Sequence, residues 1–411
     1  MNQSLALVIL QIIGVLVGVF SVFFIAGSLP SDVYAIVGVY NIISVFILVF
    51  SNTGIETYGI RNILSWYNSK SKQNEIKLLV TQSIVFRFLF AICISVLMLI
   101  YVYYISEAKF HGEYLELFIA MSLLSVTRAL NDSTILLLKA FNKYFLAALA
   151  SYSVNVFGKI IALFLFFNFG FNTYIYFLIC LPLFITLPVL CLLRKWISFN
   201  GVFKKKNIIN SYKNSNKFAI SSYISYGFNY LDQFLISIFT TAEILGSFTV
   251  AKNIFNISKT FIENIFDPLM QNLVRYKNDI NTLNLKLKKI FKIRNILLVI
   301  SIILIIPGYI FLDYFISILQ LDKYIHLNFF IFIIYLSQIL SIAFKVKYNF
   351  IALFYDDRYY LNLTIIYSLL SLFFFVFISN FDIKFIYIYV VLTNLAILLY
   401  TNKLFKKNKH L

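Results

Sequence analysis

Apolar residues in this chain fall into twelve long runs, each near the twenty residues a helix needs to cross the roughly 30 Å hydrocarbon core of a bilayer. Six runs cover Leu5 to Ala26, Tyr34 to Asn52, Leu78 to Ser106, Tyr114 to Leu138, Phe145 to Phe167 and Thr173 to Leu193. The other six cover Phe218 to Thr240, Gly246 to Leu273, Ile296 to Ile318, Leu327 to Lys347, Leu361 to Ser379 and Phe385 to Leu404. The expected fold class is therefore all-α, a polytopic membrane protein of about twelve transmembrane helices. The first run lacks a basic leader and a small-residue cleavage site, so it reads as a retained span.

The polar gaps between the runs are of two kinds. Of thirty-five Lys and Arg, twenty-five lie in alternate gaps: Arg61 to Lys77, Lys139 to Tyr144, Arg194 to Lys217, Arg275 to Arg294, Arg358 and the tail counted from Lys403. The intervening gaps hold only Lys109, Lys323 and Lys384, beside Asp32, Glu107, Glu113, Glu243, Asp322 and Asp382. By the positive-inside rule the basic gaps and both termini are cytoplasmic, which places the chain in a bacterial inner membrane.

A repeat accompanies this pattern. Ser31-Asp32-Val33-Tyr34-Ala35 follows the first span and Ala242-Glu243-Ile244-Leu245-Gly246 the seventh, each a short acidic corner opening a helix. With an even number of spans in each half, the halves enter the membrane in the same sense, the parallel-repeat plan. The expected organisation is two pseudo-symmetric six-helix lobes, residues 1–193 and 218–404, with a basic cytoplasmic linker at 194–217 and a basic tail at 405–411.

Composition narrows the function. With 61% hydrophobic and 13% charged residues, the chain cannot place its apolar part inside a polar skin. Nearly all 411 residues are used by spans and short connections, so the membrane part must carry the function. The net charge of +18 is scattered over loops rather than gathered on one surface, which argues against nucleic acid. Cys93, Cys180 and Cys191 sit in apolar runs, and His111, His326 and His410 lie far apart; neither set has metal-ligand spacing, and no cofactor is expected.

The informative residues are cations where lipid should be: Arg87, Arg128, Lys159, Lys252 and Lys259, with Lys345 and Lys347 secondary because they lie near the end of the tenth span and can snorkel. Five such charges facing lipid at mid-helix would cost well over ~10 kcal/mol, so they must face partners or water. On the eighth span Lys252, Asn256, Lys259, Glu263 and Asp267 fall on one face, a polar stripe along the helix. On the seventh, Ser225, Asn229 and Asp232 share a face beside Gln233. Asp232, Glu263 and Asp132 are ion-coupling candidates, since a buried carboxylate can change protonation as its surroundings open. Arg128 and Asp132, spaced i, i+4, are expected to pair locally, whereas Arg87 and Lys159 have no such neighbour. Gly14 and Gly18 form a small-xxx-small packing pair; Pro182, Pro188 and Pro307-Gly308 can permit bending.

An excess of bases over acids within spans argues for an anionic cargo, with phosphate the obvious group. At this point the chain resembles the O-antigen (Wzx-type) polysaccharide flippases of the multidrug/oligosaccharidyl-lipid/polysaccharide superfamily. The resemblance extends over nearly the whole chain in length, span number and loop pattern. Locally it rests on Ser51-Asn52-Thr53-Gly54-Ile55-Glu56-Thr57-Tyr58-Gly59-Ile60-Arg61-Asn62, on Leu231-Asp232-Gln233-Phe234-Leu235-Ile236, and on Glu243 to Phe248 with Val250-Ala251-Lys252. Phe248 stands where the family usually has Tyr. The resemblance brings in Glu56 and Arg61 as secondary candidates. It implies a cargo of oligosaccharide on undecaprenyl pyrophosphate, flipped from the cytoplasmic to the periplasmic leaflet by alternating access. Coupling to H⁺ or Na⁺, a lipid environment, and a polymerase and chain-length regulator as pathway partners are implied with it. Two alternatives remain: a drug-type antiporter of the same superfamily, and an O-antigen polymerase. Outward gaps of about ten residues or fewer count against the polymerase, which as a family carries a large periplasmic loop.

Overall fold

The structure is a computed structural model, described over residues 3–66, 70–141, 143–273, 279–354, 357–379, 385 and 388–407. It is helical, with no strand among the described residues, and the expected all-α class holds. Each predicted span falls on observed helix: α1 Gln3–Ser28, α2 Ser31–Phe50, α4 Gln73–Phe110, α5 Leu115–Ala140, α8 Phe171–Leu193, α9 Lys205–Phe239, α10 Ala242–Leu273, α13 Leu327–Phe354, α14 Asp357–Ser379 and α15 Ile388–Lys407. The fifth span is α6 Tyr144–Tyr152 joined to α7 Gly158–Phe169 through a π-helical turn, Ser153–Phe157. The ninth is α11 Ile280–Ile303 and α12 Ile305–Ile318, bent by 53° at their junction. By length and composition alone, five described helices are long and apolar enough to span, or six with the bent pair, because polar stripes lower the hydropathy of helices such as α10.

Hydropathy marks where lipid begins, not where a helix begins, so several helices outrun their spans. The 194–217 segment is not a free linker: α9 starts at Lys205, and the stretch before it is fastened to α4. Ser198 N–H donates to Thr81 Oγ1 at 2.8 Å, Gln82 Nε2 to the Val202 carbonyl at 3.1 Å and Ser211 Oγ to Gln82 Oε1 at 2.6 Å. One helix was not foreseen, α3 Ile55–Trp66, which is amphipathic and lies outside the apolar runs.

The chain forms two compact units. The first contains residues 1–21 and 35–245, the second 22–34 and 246–411, so α9 belongs with the helices before it and the division does not fall in the basic segment. In the first unit a core of Ile63, Val80, Leu137, Leu138, Ala147 and Leu193 joins α3, α4, α5, α6 and α8. Its α4–α5 contact is close because Ser95 and Ser122 exchange hydroxyl-to-carbonyl hydrogen bonds, both 2.8 Å. In the second unit Phe266, Met270, Leu287, Val346 and Phe350 tie α10, α11 and α13 together. There the corner before α2 meets the start of α10 backbone to backbone: a Cβ on Gly246 would lie 1.8 Å from the Ser31 carbonyl oxygen. The outward faces of α4, α7, α11 and α12 carry large exposed apolar side chains, among them Phe90, Ile100, Phe164, Ile303 and Ile310, as lipid contact requires.

Candidate functional site

The first unit's charges gather where α2, α3, α4 and α5 meet. Arg87 lies on the inward face of α4 in line with Ser83, Ala91 and Ser95, and its side chain is 1% exposed. Its Nη2 donates to the Leu48 carbonyl in the last turn of α2 at 2.8 Å, where the helix dipole favours a cation. The same nitrogen donates to Asp132 Oδ2 on α5 at 3.1 Å. Glu56, fully buried in the first turn of α3, stands 3.7 Å away through Oε1 and Nη1, and neither of these atoms has a hydrogen-bond partner among the described residues. Burial pushes the Glu56 carboxyl above the usual carboxylate range, and the charge of Arg87 pulls it only part of the way back.

The turn that presents Glu56 is built by the Gly-containing segment. Asn52 Oδ1 accepts from Gly54 N–H at 2.9 Å, and Gly54 is left-handed at φ +72°. A Cβ on Gly54 would lie 2.4 Å from the Ser215 carbonyl oxygen of α9, so glycine is required by contact as well as by conformation. Asn52 is further held by α9, donating to Ser222 Oγ at 3.0 Å and accepting at its carbonyl from Tyr223 Oη at 2.7 Å.

The expected Arg128–Asp132 pair does not form. Arg128 Nη1 reaches across to Ser44 Oγ on α2 at 3.0 Å, while Asp132 turns to Arg87. A fully buried guanidinium needs counter-charge more than one that is partly exposed, so it takes the carboxylate. Lys159, two residues past the π turn, is half-buried, interacts electrostatically with Arg128, and makes no ion pair or hydrogen bond among the described residues. Both acids, Glu56 and Asp132, thus lie against Arg87, and Arg128 and Lys159 make no ion pair with either. The π turn itself is where α1 packs, Gly14 lying against Val156. Elsewhere in this unit Asp232 is 2% exposed on α9, with Oδ1 accepting from the Gln233 N–H at 2.7 Å; Gln233 Nε2 points to the Gly38 carbonyl of α2 at 3.5 Å.

In the second unit Lys252 is 6% exposed, its ammonium 5.4 Å from the Phe255 ring. Asn256 and Lys259 follow on α10, both half-buried. Lys345 and Lys347, expected near the end of the tenth span, lie within α13, which continues to Phe354; Lys347 donates to Asn402 Oδ1 of α15. The side chains of Arg61, Ser225, Asn229, Glu263 and Asp267 lie outside the described ones.

No family model and no curated protein matches the sequence. Solved structures do match. An inward-facing multidrug resistance MATE family transporter of the MOP superfamily superposes with TM-score 0.75 at 12% identity, over 96% of this chain and 95% of that one. Lipid II flippase MurJ in its inward closed conformation gives 0.75 at 12%, over 98% and 87%. A MOP superfamily transporter from Pyrococcus furiosus Vc1, described as having a binding pocket of reverse polarity that suggests a different function, gives 0.65 at 14%, over 98% and 94%.

This chain shares the fold of these solved structures. On this fold the Arg128–Asp132 pairing expected from the sequence gives way to Arg128–Ser44 and Arg87–Asp132. Glu56 entered only through resemblance, yet it lies against Arg87. Its signal was the left-handed turn at Asn52-Thr53-Gly54, which starts a new helix within reach of α4. Chemically, the junction can hold an anion near Arg128 and Lys159 and can exchange a proton at a buried carboxyl. Among the described residues no group of His, Cys, Asp and Glu could hold a metal ion.

Proposed function

We propose that this multi-pass protein flips undecaprenyl-pyrophosphate-linked O-antigen or polysaccharide repeat units from the cytoplasmic to the periplasmic leaflet of a bacterial inner membrane. In this reading two six-helix lobes exchange access and the termini are cytoplasmic. The observation that carries the proposal is Lys159, a half-buried cation within an apolar helix that has no acid partner among the described residues and stands near a second cation, Arg128. Holding two like charges there costs free energy unless an anion is to be received. Arg128 and Lys159, with Lys252 and Lys259 in the second unit, attract the pyrophosphate or acidic sugars, Arg87 organises the junction, and the polyprenyl tail stays in lipid. Asp232, Glu263 and Asp132 exchange H⁺ or Na⁺ on return, and a polymerase and chain-length regulator take over the product.

Deleting the gene tests this. Complete single repeat units on the lipid carrier are expected to accumulate on the cytoplasmic leaflet and to clear on complementation, but not with Lys159→Gln. Units that reach the periplasmic leaflet and stay unpolymerised would contradict it. The buried Asp232 supports a second reading, a drug-type cation antiporter, because a cationic cargo needs a carboxylate. That reading requires proton-driven efflux of a cationic dye, abolished by Asp232→Asn and indifferent to Lys159→Gln.

A further inference from the structure

One surface feature lies away from the charge cluster, on the outer side of the second unit. A shallow, open groove of about 490 Å³ runs along α11, lined by side chains of that helix, with Lys288, Lys292 and Asn295 toward one end and Ile296, Val299 and Ile300 toward the other. Spacings of four, three and four residues put Lys288, Lys292, Asn295 and Val299 in one line on the helix. Neither lysine ammonium has an ion-pair partner among the described residues. Arg294 turns toward Phe291, 4.7 Å from its ring, and toward the Ala343 carbonyl of α13, and donates twice to Asn295 Oδ1, at 3.1 and 2.7 Å. With its oxygen so occupied, Asn295 offers the groove N–H donors only.

Below the groove the helix breaks, and a second, apolar pocket of about 380 Å³ opens between α12 and α13, lined by Leu304, Pro307, Gly308, Phe311, Phe332 and Tyr335. Tyr335 Oη donates to the Ser301 carbonyl at 2.7 Å beside the break, which satisfies that backbone oxygen. A Cβ on Gly308 would meet nothing within 4 Å, so the space beside it is open.

From Lys292 to Leu304 the helix rises about 18 Å, close to the ~15 Å depth of one leaflet's hydrocarbon. We infer that α11 and α12 bind an anionic phospholipid of the leaflet on the Lys- and Arg-rich side, its phosphate on Lys288, Lys292 and Asn295 and an acyl chain running past Ile296 and Val299 into the pocket at the bend. Charge selects the headgroup, since two unmatched ammonium groups and an amide donor suit a phosphodiester of net negative charge. Length selects the phospholipid, because the polar tier and the apolar end are one leaflet apart.

Native mass spectrometry of the purified full chain, with added phosphatidylglycerol or phosphatidylethanolamine, tests the site. Wild type is expected to retain phosphatidylglycerol at least tenfold more strongly. Lys288→Gln with Lys292→Gln removes the preference, and Gly308→Leu, which extends a side chain into the open space beside the bend, weakens retention of both lipids. Equal retention by wild type, or an unchanged preference in the lysine double variant, overturns the inference. Displacement by inorganic phosphate at equal concentration would make it a free-anion site, and displacement by polyprenyl phosphate a carrier site; either result overturns the assignment to a membrane phospholipid.

Discussion

The α3–α4–α5 junction and the turn between α6 and α7 each bring a cation into an apolar helix, and they match that charge in opposite ways. Arg87 at the junction is sealed from solvent and surrounded by the Leu48 carbonyl, Asp132 and Glu56. Lys159 after the π turn stays half-buried near Arg128, with no carboxylate contact among the described residues. In sequence the two look alike, each a lone base without an acid one turn away. A cation inside a membrane helix can therefore be structural or available, and the number of helices converging on it decides which. Four helices meet at Arg87, so its counter-charges come from elsewhere in the chain. π-helical turns recur at functional sites, and the one before Lys159 widens the helix where that side chain leaves it.

The comparison breaks most visibly at Arg87. Arg87→Met leaves the Leu48 carbonyl unsatisfied and the partly exposed Asp132 without its partner and is expected to cost ~1–3 kcal/mol, read as loss of folded protein in detergent. Glu56→Gln should cost far less, because burial already pushes that carboxyl toward its neutral form. Equal losses from the two substitutions would show Glu56 to be a full ion-pair partner. Gly54→Ala comes next: a left-handed backbone and a Cβ driven onto the Ser215 carbonyl should cost at least ~1–2 kcal/mol and lower the thermal midpoint without changing which cargo is recognised. Lys159→Met tests the other side, with an unchanged or raised midpoint, since removing an unmatched, half-buried charge relieves part of its desolvation. A drop like that of Arg87→Met would erase the distinction.

The smallest effect calibrates the rest. Asp279 caps α11 by accepting from Thr282 N–H at 3.1 Å and Thr282 Oγ1 at 2.6 Å, and these bonds hold its carboxyl below the usual range. A depressed folded pKa means the contribution is present above the ordinary carboxylate pKa and lost as pH falls through the folded value. Asp279→Ala should therefore lower the midpoint slightly at pH 7 and not at all in strong acid.

Much of this was legible in the sequence. Every apolar run falls on observed helix because lipid imposes length and composition together. Hydropathy is blind to helix that leaves the membrane, so α3, the first turns of α9 and the basic start of α11 did not show. Within the site, residue type told that charges were present, and i, i+4 spacing told only which pairs could meet. Arg128 and Asp132 could meet and do not, because Ser44 and Arg87, forty or more residues away, compete for them. Such competition is set by tertiary packing, which no local pattern records.

The central claim is that Lys159 receives an anionic lipid-linked cargo, and proteoliposomes test it most directly. Movement of a polyprenyl-pyrophosphate oligosaccharide between leaflets would be followed for wild type, Lys159→Gln and Lys159→Arg, beside the same oligosaccharide on a neutral lipid. The account predicts movement of the pyrophosphate lipid alone, about tenfold slower in Lys159→Gln, equivalent to about 1.4 kcal/mol, and near wild type in Lys159→Arg. Equal rates for Lys159→Gln and wild type, or equal movement of the neutral lipid, would contradict it.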